Sequence, residues 1–123
     1  MVVDSGACDS VIPSSVMPQV PVNTNTSQYG TVYKVANGNN IENEGEKKFV
    51  AFTDSGQQKV FNMQVAAVDK PLLSVSGVVK RGNRVVFDPQ GSYSENLHTW
   101  EFTPVYEVNG MYSLPTWIPT QPF

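Results

Sequence analysis

Asp4 is the residue whose neighbours best fit it for chemistry. Val2 and Val3 run into Asp4-Ser5-Gly6-Ala7, and Val11 and Ile12 follow a short polar stretch. β-Branched residues on both sides favour short strands, so the pattern reads as a strand ending in a tight turn with a carboxylate at its tip. Gly6 has no Cβ and lets the backbone turn closely. Ser5 is small, and its hydroxyl can donate to a neighbouring group. The turn thus presents one carboxylate, that of Asp4. Asp54-Ser55-Gly56 repeats the tripeptide, but Gln57, Gln58 and Lys59 follow it, and it reads as an ordinary turn between strands. Asp9 stands in the same turn as Asp4 and reads as a cap of that loop.

Other chemistries find less support. Cys8 and His98 could in principle form a thiol–imidazole pair, but no oxyanion-hole motif accompanies them. The expected role of Cys8 is a small semi-buried thiol. One cysteine and one histidine cannot supply a four-ligand zinc site, so no metal and no cofactor are expected.

The elements that must position Asp4 belong to a small β-rich chain. At 123 residues there is room for one domain with a modest core, and 40% apolar with 15% charged residues is a globular composition. The net charge is −3, and the eight Lys and Arg are scattered, with Lys47-Lys48 and Lys80-Arg81 as the pairs. A nucleic-acid partner would require a basic face, so none is expected. No apolar run is long enough for a membrane helix, and no basic start leads into an apolar segment; a cytoplasmic protein is the expectation.

In chain order, Pro13, Pro18 and Pro21 among Ser, Thr and Asn mark a surface loop to Ser27. Residues 29 to about 53 suggest a hairpin whose tip, Ala36-Asn37-Gly38-Asn39-Asn40, tolerates positive φ. Phe49–Thr53 and Val60–Val68 flank the Asp54 turn as a second hairpin, with Phe61, Met63, Val65 and Ala67 on one face. Ser74 or Ser76 can cap a short helix that ends at Gly82, with Lys80 and Arg81 in its last turn, where cations suit the dipole. Arg84–Asp88 and Ser92–Glu95 form a further hairpin, and Asn109-Gly110 between β-forming runs signals a last one.

The apolar-apolar-Asp-Ser-Gly-Ala signature at residues 2–7 is similar to the active-site segment of the retropepsin-like aspartic proteases. The longer run from Val2 to Pro13 resembles the protease segment of copia-type retrotransposon polyproteins, and Leu72-Leu73-Ser74-Val75-Ser76 resembles that group's counterpart of the family's Leu-Leu-Gly-x-Asp segment. Ser74 and Ser76 stand where the wider family has Gly and Asp.

The resemblance implies an all-β, retropepsin-like closed sheet with one short helix over residues 1–95, lacking the strands that normally precede the catalytic turn. Residues 96–123 would be a linker and the start of a pre-integrase-like tail carrying a short hairpin. It implies an aspartic endopeptidase that cleaves a retroelement polyprotein as a homodimer, within a retroelement particle in the cytoplasm. Each protomer would contribute Asp4, with Ser5 bonding across the dimer and Gly6 beside it. Ala7 would line the substrate floor, and Ala36, Asn37 and Gly38 would form the tip of a flap over an extended substrate strand. The alternative is a catalytically silent β-rich polyprotein module with a folding or interaction role, which the truncated front and the late aromatics favour.

Overall fold

The computed structural model describes residues 1–35 and 37–117. The chain is mostly β-strand with one short helix. In order, the elements are β1 (Val2–Asp4), β2 (Val11–Ile12), β3 (Val32–Lys34), β4 (Asn40–Glu42), β5 (Gly45–Thr53), β6 (Gln58–Val65), β7 (Leu72–Ser74), α1 (Val75–Lys80), β8 (Asn83–Val86), β9 (Ser92–Asn96), β10 (Phe102–Val108), β11 (Met111–Ser113) and β12 (Thr116–Trp117). Ten strands form one sheet in the order β12-β5-β6-β2-β7-β1-β11-β10-β9-β8, and β3 and β4 pair apart from it. The expected closure is not made by a ladder: β12 and β8 are the two edges of the sheet.

The long hairpin β5–β6 is the frame. Along β5 the residues Gly45, Lys47, Phe49, Ala51 and Thr53 are buried in strict alternation, as a half-buried strand requires. Phe49 lies opposite Phe61 in the register, and their rings stack at 5.8 Å between centroids. Such a cross-strand aromatic pair contributes about 0.5–1 kcal/mol beyond its buried area. The second Asp-Ser-Gly is the turn of this hairpin: Thr53 N–H donates to Gln57 O at 2.9 Å, and Gly56 takes a φ of +82°. β6 ends at Val65, one step before the alternation expected of it; Ala66 is then buried and Ala67 exposed, so Ala67 does not share the face of Met63.

Lys47 is an exception to the apolar rule for that inner face. It is 2% exposed, and its Nζ donates to the carbonyls of Ser14, Val16 and Met17 at 2.9–3.0 Å. A buried ammonium is tolerable only with such donors satisfied. Here it gathers the proline-bearing loop onto the sheet.

Two expectations are corrected. First, the hairpin expected over 29–53 breaks at Asn43 and Glu44. Its tip half is the separate pair β3–β4, whereas β5 belongs to the main sheet. The break has a local cause: Asn43 is fully buried, its Oδ1 accepts Gly45 N–H at 2.8 Å, and Gly45 sits at φ +127° with Val22 and Asn23 where a Cβ would stand. Second, residues 96–117 are not a linker, and the rest of the expected tail, 118–123, lies outside the described residues. β10 pairs with β9, β11 pairs antiparallel with β1, and β12 pairs with β5. Asn109 and Gly110 turn the β10–β11 hairpin with φ of +51° and +79°, the both-positive geometry that matches strand twist. Met1 and Leu114 exchange both backbone bonds at 2.8 Å, and Leu114 is buried with Val3 and Val105. The place beside β1 is thus filled from the far end of the chain.

Candidate functional site

Asp4 is the last residue of an interior strand. β1 lies between β11 and β7, and its parallel register with β7 sets Asp4 opposite Ser74. The Asp4 side chain is half-buried and turns back on its own loop: Oδ1 accepts the Gly6 N–H at 2.8 Å. This is the aspartate turn that short acidic side chains favour after a strand. Ser5 and Gly6 are exposed, and Ala7 is half-buried. Gly6 does not adopt a positive φ, and a Cβ there would meet Asp4 Oδ1 at an ordinary 3.4 Å. Within one chain, therefore, the turn does not require glycine.

Ser74 fixes this turn from below. It is fully buried at the junction of β7 and α1. Its Oγ donates to Ala7 O at 2.7 Å and accepts the Gly77 N–H at 3.1 Å, while its own N–H donates to Ser10 Oγ at 2.9 Å. One residue therefore caps the helix and ties down both Ala7 and Ser10. The capping role was legible in the sequence. The bond to Ala7 was not, because nothing local links residues 7 and 74. Downstream of the turn, β2 runs parallel to β6, and Ser10 O and Ile12 O accept the N–H groups of Gln64 and Ala66.

The β3–β4 hairpin is tied to the same turn through a polar network. Tyr33 OH donates to Asp9 Oδ2 at 3.0 Å and accepts from Asn43 Nδ2 at 2.9 Å. Asn43 Nδ2 also reaches Gln64 Oε1 at 2.9 Å, and Gln64 Nε2 donates to Glu46 Oε2 at 3.0 Å. Burial pushes the Tyr33 hydroxyl up to about 12, with its bond to Asp9 and that group's charge adding to the rise and the Asn43 bond opposing it. Tyr33 is accordingly a neutral donor at any ordinary pH. Sequence reading assigned Asp9 to the loop and missed its partner.

At the tip, Gly38 N–H donates to Val35 O at 2.9 Å, Asn37 Oδ1 accepts Asn39 N–H at 2.9 Å, and Gly38 stands at φ +84° with open space around it. Ala36 lies outside the described residues. Asn37 lines a cavity of about 480 Å³ between the hairpin and Ala67, Val68 and Asp69. A second cavity, of about 320 Å³, lies beside the turn, with Cys8, Asp9, Ser10, Glu46, Asn62 and Gln64 among its lining. Neither is lined by Asp4, Ser5, Gly6 or Ala7.

The competing residues are engaged elsewhere. Asp54 Oδ2 accepts the Tyr106 hydroxyl at 2.9 Å, a bond that raises the titration of that exposed phenol. Cys8 is an exposed free thiol, not the semi-buried one expected, and His98 packs against Gly82. No hydrogen bond joins Cys8 to His98 among the described residues. Nor do the described residues hold a group of three or more His, Cys, Asp or Glu arranged for a metal ion. No helix among them is long and apolar enough to cross a membrane. No family model matches the chain, and no curated protein or solved structure matches it.

Proposed function

We propose that the chain is one half of a retropepsin-like aspartic endopeptidase, active as a symmetric homodimer on extended polyprotein segments. The observation that carries this reading is the setting of Asp4. It ends an interior strand, in a turn that Ser74 holds at Ala7 and Ser10, while Ser5 and Gly6 remain exposed to meet a second copy. A two-fold axis beside the turn would bring two Asp4 carboxylates together. One would stay protonated and polarise the scissile carbonyl, and the other would take a proton from the attacking water. Ser5 would brace the pair across the axis. Gly6 and Ala7 would offer backbone groups to a substrate added as a β-strand, with the hairpin tip at Ala36, Asn37 and Gly38 closing over it. The absence of a Cβ at Gly6, which one chain does not require, has a use where two copies and a substrate crowd together.

The test is the order of the reaction in protein. Peptide cleavage at about pH 5, where a shared-proton pair works, should rise with the square of protein concentration at high dilution. A first-power dependence at dilutions where analytical ultracentrifugation finds only monomer would mean that a single chain holds a complete site, contrary to this reading.

A second reading is a catalytically silent module of a polyprotein. The observation that favours it is the set of outward-facing aromatic side chains late in the chain, with Trp100 and Trp117 68% and 63% exposed. Such groups serve contact with partners better than they serve hydrolysis.

A further inference from the structure

The two buried clusters of the core are separate. Ile12, Phe49, Ala51, Phe61, Met63 and Val65 form one, Val3, Val105 and Leu114 the other, and half-buried Leu73 packs on both. Between them is a cavity of about 260 Å³ whose apolar lining includes Val3, Phe61, Leu73, Val105 and Leu114. Polar Thr53, Asn83, Ser94, Asn96 and Thr103 also face it. The cavity is half open to solvent, so its apolar lining is left in contact with water. The helix beside it sharpens the point. α1 has six residues and buries none of them; Val75 and Val78, half-buried, line the cavity. A helix this short has little stability of its own and depends on what its apolar side touches.

The charged lining is on the solvent side and is not balanced. Lys59 pairs with Glu101 at 2.7 Å. Arg81 lines both this cavity and the second one, which Asp9 and Glu46 also line; it is exposed and makes no ion pair among the described residues. One positive charge is therefore left over at the opening, in a chain whose net charge is −3.

We propose that this cavity is a binding site for a small apolar acid, its hydrocarbon body between the two core clusters and its carboxylate on Arg81. The size fits: an apolar cavity of about 150 Å³ accepts benzene, so this one takes a single ring with a short chain, or a flexible chain of about eight carbons. The head group stays at the solvent side, because an unpaired carboxylate is costly to bury and the Arg81 fork can bond both its oxygens. The site does not involve Asp4 and does not depend on the protease reading.

The experiment is a methyl-resolved NMR titration of the whole chain with octanoate and, separately, 1-octanol. Octanoate should shift the methyl resonances of Val3, Val75, Val78, Val105 and Leu114. Arg81→Gln, a change at an exposed side chain, should weaken octanoate about tenfold, the loss of one charge-assisted contact, and leave 1-octanol unchanged. Val78→Phe should fill the space and abolish binding of both. Unmoved cavity methyls would overturn the proposal, as would shifts confined to exposed methyl groups such as those of Leu97, Val108 and Met111. Equal octanoate affinity in Arg81→Gln would overturn the anion site even if Val78→Phe failed to fold.

Discussion

The Tyr33 hydroxyl donates to Asp9 Oδ2 at 3.0 Å and so joins the β3–β4 hairpin to the turn that carries Asp4. The two elements are separate in the sheet order, so side chains, not ladder bonds, set the hairpin against the turn. Removing the hydroxyl with Tyr33→Phe takes one acceptor from the Asn43 amide, which keeps its bond to Gln64, and cuts the link to Asp9, at about 1–2 kcal/mol for a partly buried network. Hydrogen exchange at Tyr33 and Ile41 should quicken while β5 and β6 stay protected. Uniform quickening over the whole sheet would mean that the link is not local to the hairpin.

The same tyrosine predicts a pH dependence. Its hydroxyl titrates near 10 when unfolded and is raised to about 12 in the fold, chiefly by burial. The folded state thus holds the proton more tightly. The contribution is fully present below about pH 10 and is lost as pH rises from there toward about 12. Urea midpoints should fall over that window in the wild-type chain, and Tyr33→Phe should lack this component. A wild-type curve no steeper than the variant's would contradict it.

Ser74→Ala should be the most damaging small change near the turn. It removes the helix cap, about 1 kcal/mol, and leaves the Ala7 carbonyl without its donor, about 1–3 kcal/mol more. A lower melting temperature, with faster exchange at Gly77, is the expected result. Gly6→Ala, by contrast, should leave the melting temperature of the single chain almost unchanged, because the Cβ meets nothing closer than 3.4 Å.

Leu114→Ala tests whether the end of the chain belongs to the core. Leu114 is buried against the Val3 and Val105 cluster and exchanges backbone bonds with Met1. Truncation to alanine should cost about 2–5 kcal/mol in a denaturant melt. A change within about 0.5 kcal/mol, the usual range for an exposed position, would mean that this segment does not pack on β1.

What the sequence revealed was local. The β5–β6 hairpin, the Asp54 turn, the Asn109-Gly110 hairpin and the Ser74-capped helix all follow from neighbours within a few residues. What it hid was pairing at long range. β11 beside β1 leaves no periodic trace, because a short strand can pair with any edge of suitable pattern. The single hairpin expected over residues 29 to about 53 also concealed a division, since the buried Asn43 and the positive φ of Gly45 that divide β4 from β5 show their effect only in space. At the site, the Asp4 turn was readable from its own residues. The ties that hold it, Ser74 to Ala7 and Tyr33 to Asp9, span 67 and 24 residues and were not.

The central claim is that Asp4 performs peptide hydrolysis. The direct measurement is cleavage of a peptide library at about pH 5 by the wild-type chain and by Asp4→Asn, with folding of both verified by circular dichroism. Cleavage by the wild type and none by Asp4→Asn is the expected result. Equal cleavage by both, or none by the folded wild-type chain at any protein concentration, would contradict it.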